Sequence, residues 1–263
     1  MGSMWTRERV LEAAAWVWLP ADAAHVSTKE YQLVAYPGHA YLMPTQVAWC
    51  RSERPAGEII DDVTSQVRAW GRSSLHWWIS DATTPTDMEA ELVRRGASLA
   101  ETVHVLAYDM SHALPNLAVP DDVSTELVRD ERTVRAGHVV SDEVWGSGTK
   151  ATEDQIAKEV AEAEDNVDAP FRFSVVAYLD GEPAAVGGCT LADEVAHLGG
   201  AASLPAVKGR GTYRAVLAER LAIARKQGAS LALVKGRVET SGPILRRAGF
   251  TAHGEERGYS LQI

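Results

Sequence analysis

The chain has 263 residues, 46% of them hydrophobic and 24% charged, the composition of a soluble globular protein with room for one large domain or two ordinary ones. A formal charge of −10 argues against the basic face that nucleic-acid binding needs. No apolar run approaches the roughly 20 residues of a membrane span, and no signal peptide is visible. Cys50 and Cys189 are the two cysteines, far apart and without a CxxC, and the eight histidines have no ligand spacing. That usage predicts a reduced, cytoplasmic protein with no metal site.

In chain order, the hydrophobic pattern predicts a helix from Ile59 to Trp70 and a strand at Leu75–Ile79. A turn through Ser80–Pro85, a helix ending Leu92-Val-Arg-Arg-Gly-Ala97 and a strand at Val103–Tyr108 follow. His112–Asp122 carries two prolines and no sustained period, which places a boundary near residue 115 and divides the chain into 1–115 and 116–263. Helices are expected from Glu131 to Trp145 and from Thr152 to Glu164, the second opening on the capping box Thr152-Glu-Asp-Gln155. Next come a strand at Phe173–Tyr178, a hairpin turn at Asp180-Gly181, a return strand at Ala184–Leu191 and a strand from Val195 to Leu204. A helix over Thr212–Lys226, a strand at Leu231–Val234, a short helix ending Leu245-Arg-Arg-Ala-Gly-Phe250 and a strand at Gly258–Ile263 complete the reading. The order strand–turn–helix–Gly–strand thus occurs twice, which suggests a tandem duplication.

The most informative stretch is Leu204-Pro-Ala-Val-Lys-Gly-Arg-Gly-Thr-Tyr-Arg214, a basic glycine loop that opens a helix. Gly209 and Gly211 permit a tight turn. The helix beyond offers unpaired N–H groups and the positive end of its dipole, and Lys208, Arg210 and Arg214 add charge around the same mouth. Phosphate, most plausibly pyrophosphate, is what such a mouth holds. The Walker spacing is absent, and Arg214 stands where a dinucleotide fingerprint needs its third glycine.

The loop resembles the acyl-CoA loop of the GNAT acyltransferase superfamily, Arg/Gln-x-x-Gly-x-Gly/Ala, with Lys208, Gly211 and Tyr213 at the first, fourth and sixth positions and Gly211 the strict match. Asp180-Gly-Glu-Pro-Ala-Ala-Val-Gly-Gly188 and Pro243-Ile-Leu-Arg-Arg-Ala-Gly-Phe250 extend the resemblance over about residues 125–263. It implies an α/β fold of two tandem GNAT-like domains, each a mixed, mostly antiparallel sheet flanked by helices. In the first half the corresponding loop, Arg51-Ser-Glu-Arg-Pro-Ala-Gly-Glu58, holds two acids that would repel phosphate. That half is therefore expected to lack the cofactor, and to act as scaffold or as a wall of the acceptor cleft.

The resemblance further implies acetyl transfer from acetyl-CoA to an amine, with a small-molecule acceptor preferred and a monomer or homodimer as the assembly. Backbone groups of Gly209, Arg210, Gly211, Thr212, Tyr213 and Arg214, with Lys208, would hold the pyrophosphate; Ala202, Ser203 and Leu204 would flank the pantetheine arm. Glu239 is the leading candidate base, with Glu194 and His197 behind it. Asp142, Glu143 and Trp145 are candidates for binding the acceptor. Many members of the superfamily carry a tyrosine where this chain has Leu245, so Ser241, Thr240, a water, Tyr213 or Tyr259 would protonate the leaving thiolate, or it would leave unprotonated, a thiol's pKa being about 8.5. The alternative is a non-catalytic sensor that binds acyl-CoA or another metabolite. Cys189, in an apolar strand, reads as a small buried hydrophobe.

Overall fold

Residues 5–37, 43–146, 151–165 and 171–263 are described by a computed structural model of the chain. In order its elements are α1 (Arg7–Ala14), β1 (Ala24–Ser27), β2 (Tyr31–Ala35), β3 (Thr45–Cys50), α2 (Ala56–Ala69), β4 (Ser74–Ser80), α3 (Met88–Arg94) and β5 (Ser98–Asp109). There follow β6 (Val123–Leu127), α4 (Glu131–Trp145), α5 (Glu153–Asp165), β7 (Arg172–Leu179), β8 (Glu182–Ala192) and β9 (Val195–Ser203). A 3-10 turn at Pro205–Val207 leads to α6 (Thr212–Lys226), β10 (Leu231–Arg237), α7 (Ser241–Arg247) and β11 (Thr251–Gln262).

Local chemistry sets the boundaries. The Asp130 carboxylate accepts from the Thr133 N–H at 2.8 Å while Thr133 Oγ1 accepts from the Asp130 N–H at 3.1 Å, a reciprocal cap on α4, which then stops at left-handed Gly146. The capping box expected on α5 is present: the Gln155 N–H donates to Thr152 Oγ1 at 3.2 Å and the Thr152 N–H to Gln155 Oε1 at 2.8 Å. Asp180 and Gly181 both have positive φ, 53° and 83°, as the tight hairpin between β7 and β8 requires.

The chain forms two compact units. The first comprises Arg7–Leu106, Gly236–Leu245 and Ala252–Ile263; the second comprises Met1–Thr6, Ala107–Lys235 and Arg246–Thr251. These units do not follow a single cut in the sequence, because the C-terminal strand lies in the first of them.

In the first unit the strand order is β1-β2-β3-β4-β11-β5, with β3 and β4 parallel and β11 antiparallel to β4 from Glu256–Ser80 to Gln262–Ser74. Ile59, Ile60, Val63 and Val67, one stripe of α2, bury against Leu75, Trp77 and Ile79 of β4 and Tyr259 and Leu261 of β11. Cys50 in this core is a free thiol whose pKa burial pushes up to about 12.

In the second unit the order is β10-β9-β8-β7-β6, antiparallel except for β10 beside β9. Successive residues of β8 face opposite sides. Val186 lies 3.6 Å from where a Cβ on Gly137 of α4 would stand, while Gly187 turns to Val216 and Arg220 of α6. The sheet is thus covered by α4 on one face and α6 on the other. Cys189 is buried and free, its pKa raised to about 12 by burial.

The repeated strand–helix–strand units match in length: β4, α3 and β5 have 7, 7 and 12 residues, and so do β10, α7 and β11. Because Leu261 fills the core around Trp77, Leu261→Ala is expected to cost about 2–5 kcal/mol. Urea unfolding followed by tryptophan fluorescence would measure it; a loss below about 1 kcal/mol would contradict the place of β11 in that core.

Candidate functional site

The site begins where two parallel strands part. In the second unit β9 and β10 pair at Val195–Leu231, Ala196–Ala232 and His197–Leu233, and among the described residues their pairing ends there. Yet β9 runs on to Ser203 and β10 continues through Lys235. The strands therefore form a fork closed at His197 and open toward the end of β9.

The open arm is shaped by a bulge. From Val186 to Gly188, β8 advances two residues while β9 advances three, from Ala202 back to Gly199. Gly200 takes up the extra residue in a left-handed conformation, φ 55°, which suits glycine. Behind the bulge lies Arg220 of α6, fully buried. Its Nη1 donates to the Gly188 carbonyl at 2.9 Å and is 3.4 Å from the Gly199 carbonyl, the pair that faces across β8 and β9 beside the bulge. Its Nε donates to the Val216 carbonyl at 3.3 Å. Burial pushes the guanidinium pKa down, opposed by its contact with Tyr213. The arginine fits only because residue 187 is glycine: a Cβ there would sit 2.9 Å from its Cζ and 2.8 Å from Val216 Cγ1.

The glycine loop follows the open arm. The Lys208 N–H donates to the Pro205 carbonyl at 3.2 Å and the Arg210 N–H to the Val207 carbonyl at 3.1 Å, closing a tight turn. Gly209 and Gly211 have φ of 86° and 87°. Gly211 is the N-cap of α6 and offers no side-chain cap, so the first N–H groups of that helix, at Thr212, Tyr213 and Arg214, point out of its end toward the loop. Lys208 and Arg210 are exposed there.

The linker before β6 braces this loop. Arg210 pairs with Asp122 at 2.9 Å, Arg214 Nη1 donates to the Leu117 carbonyl at 3.1 Å, and a Cβ on Gly211 would lie 2.5 Å from Pro120 Cδ. The Arg210–Asp122 pair is roughly half exposed on both sides, so little is lost when Arg210 turns to another anion. Arg214, in contrast, is spent on the linker.

The fork and the loop bring most of the expected residues together. Ala202 is buried and Leu204 half-buried in one cluster with Val140, Val144 and Trp145, which places the end of α4 beside the end of β9. The Leu204 N–H is consumed by the Ala184 carbonyl at 2.9 Å. N–H groups alternate between the two edges of a strand, so that of Ser203 faces the fork. Ser203 Oγ is 3.5 Å from Thr212 Oγ1, and Thr212 is buried. Tyr213 turns toward Arg220, and burial raises its pKa. Asp142 is half-buried, its carbonyl capped by the Gly146 N–H at 3.0 Å, and Glu143 is exposed.

Other candidates lie elsewhere. Glu194 precedes β9 at the closed end of the fork, with Ser230 Oγ 3.4 Å from its carboxylate. His197 stands at the branch point; burial, assisted by Lys235, pushes its pKa down to about 4, so it is neutral near pH 7. Glu239 is exposed in the turn after β10, and Ser241 Oγ accepts the Arg237 N–H at 2.9 Å; both belong to the first unit. Leu245 is fully buried there, its Cδ1 2.9 Å from where a Cβ on Gly236 would stand, which accounts for an apolar residue at that position. The Tyr259 hydroxyl donates to Glu89 at 2.6 Å.

Gly199-Gly200 and Arg220 are not among the residues expected at the site from the sequence. Paired glycines inside a strand pattern are the signal of a bulge. A cation on the apolar stripe of α6 has no comparable sequence signal.

Solved structures of acetyltransferases share the fold that carries these elements. A GCN5-related N-acetyltransferase from Kribbella flavida superposes with a TM-score of 0.64 at 17% identity, over 90% of this chain and 89% of that one. A tandem GNAT protein from the clavulanic acid biosynthesis pathway superposes at 0.58 and 15% identity, over 97% of this chain and 87% of that one. The chain has the GNAT fold. A GCN5-related N-acetyltransferase-like protein from Streptococcus suis shares that fold at a TM-score of 0.57 and 11% identity, over 96% and 97% of the two chains. Neither a protein-family model nor a curated protein matches the sequence.

If Arg220 holds the β9 bulge in shape, Arg220→Met takes a donor from the Gly188 and Gly199 carbonyls and should cost about 1–3 kcal/mol. Hydrogen exchange of the Gly199–Ser203 amides should accelerate in that variant more than exchange of the β7 amides. Equal acceleration in both strands would assign Arg220 to general packing instead.

Proposed function

We propose that the second unit transfers an acyl group, acetyl in the first instance, from acetyl-CoA to the amine of a small molecule. The observation that carries this reading is the parting of β9 from β10 past His197, directly followed by the glycine loop and the uncapped end of α6. A slot between strand edges suits the extended, amide-bearing pantetheine arm. A ring of backbone N–H groups with two exposed cations suits the pyrophosphate.

The residues present fit that cofactor in charge and in hydrogen bonding. N–H groups of Gly209 and Gly211–Arg214 would donate to phosphate oxygens, with Lys208 and Arg210 offsetting their charge. Acetyl-CoA supplies an acyl group activated as a thioester. The Ser203 N–H, facing the fork, would donate to negative charge developing on the carbonyl oxygen. Much of the rate would come from holding the two reactants in line. Trp145, beside Leu204, offers an apolar wall for a compact acceptor, and Asp142 and Glu143 an attraction for its cationic form; the net charge of −10 favours the same class. An ammonium must lose a proton before it attacks, and Glu239, exposed two residues past β10, is the proposed base.

The first unit is proposed to carry no CoA. Of its two loop cations, Arg54 is held by Asp62 at 2.7 Å and lies 3.5 Å from both Glu30 and Glu58, so a phosphate approaching it would meet three carboxylates. A second reading, an acyl-CoA sensor without turnover, is favoured by the acid side of the chemistry. Leu245 is buried, Ser241 is bonded to backbone and Tyr259 to Glu89.

Release of free thiol from acetyl-CoA, screened against a panel of small amines, separates the two readings. The expected result is amine-dependent release that Gly211→Glu abolishes together with CoA binding, and that Glu239→Gln lowers about tenfold or more while CoA affinity is kept. Binding without release by any amine would favour the sensor. Release unchanged in Glu239→Gln across pH would place the base elsewhere.

A further inference from the structure

The first unit has a fork of its own. There β3 and β4 run parallel and pair at Gln46–His76 and Val47–Trp77, then part, until Arg51 meets Thr84 in an isolated bridge. The separating strands enclose a cavity of about 60 Å³. Trp49 and Trp78 line it from the two arms of the fork, Leu11 and Val105 add apolar surface, and Glu256 of β11 lines it as well. The bridge at Arg51 and the carboxylates around Arg54 disfavour phosphate in this fork, in keeping with the proposal that the first unit carries no CoA.

What remains is a cavity with indole walls and a carboxylate that is only 9% exposed. Around it, Arg7 and Asp81 form an exposed pair at 3.7 Å, and the Arg51 guanidinium lies 5.9 Å from the centre of the Trp49 ring. Glu255 faces Arg257 at 3.6 Å and His104 at 3.8 Å. Glu256 is the buried charge of the lining. Arg51 over Trp49 shows that this ring already takes a cation.

We propose that the cavity binds the ammonium head of a small organic cation, with Glu256 as the counter-charge and the indoles of Trp49 and Trp78 as its walls. Buried carboxylates favour a cation that donates hydrogen bonds to them, and indole faces attract the same charge. A volume of about 60 Å³ is roughly twice a water's share of the liquid, enough for the head group, while the remainder of the ligand extends through the mouth. Every residue named belongs to the first unit, so the proposal stands whether or not the second unit transfers an acyl group.

The test uses the full chain labelled with 5-fluorotryptophan and observed by fluorine NMR without CoA. Resonances are assigned with Trp49→Phe and Trp78→Phe. Titration with n-propylammonium is expected to shift those two resonances saturably, with 1-propanol, its neutral counterpart, at least about tenfold weaker and Glu256→Gln weakening the cation by about the same factor. Should Glu256→Gln fail to fold, the comparison of amine with alcohol on the unaltered chain decides. The proposal is overturned if alcohol and amine act equally, if shifts are confined to other tryptophans such as Trp145, if no saturable shift occurs, or if a folded Glu256→Gln titrates like the parent.

Discussion

A buried cation sets the form of the proposed cofactor site. Arg220 reaches from α6 to the carbonyls of Gly188 and Gly199, and those contacts fix where β9 bulges. Burying a guanidinium is unfavourable unless its donors are satisfied, so the arrangement holds together only as a set. Gly187 must lack a Cβ, Gly200 must accept a positive φ, and α6 must start where it does for its third turn to meet the bulge. The same helix presents its N-terminal amides to the glycine loop. One element thus shapes the strand edge with its buried side and carries the proposed anion seat at its end.

Comparison of the two forks explains how one local fold can support different binding chemistry. In each, parallel strands separate after two or three paired positions and a helix follows the first strand. In the second unit the connecting loop is glycine-rich and basic, and its arginine pairs with a single, exposed carboxylate. In the first, Arg54 of the loop is surrounded by Glu30, Glu58 and Asp62, and Pro55 is the N-cap of α2. Backbone geometry is repeated; electrostatics are inverted.

Much of this could be read from the residues. α4 and α6 lie where the sequence pattern placed them, and the capping box at Thr152 and the turn at Asp180-Gly181 form as their chemistry dictates. The repeated strand–helix–strand units were legible because both carry the Arg-Arg-Gly or Arg-Arg-Ala-Gly ending. The first fifty residues were not. β2 is buried at every position and gives no alternation, β1 is largely exposed, and α1 spans only eight residues. The pairing of β11 with β4 joins residues about 180 apart, and no local pattern encodes it. At the site, the glycine loop was evident from composition, whereas the engagement of Arg214 by Leu117 and of Tyr213 by Arg220 depends on contacts that only folding creates.

The account turns on one fork of the two being a seat for CoA. Calorimetric titration of acetyl-CoA into the intact chain measures this directly. One saturable site per chain, with affinity falling as salt rises because Lys208 and Arg210 meet phosphate, is the predicted result. No binding, or two equivalent sites, would contradict it: the first would reduce the glycine loop to a turn, and the second would show that the carboxylates around Arg54 do not exclude phosphate.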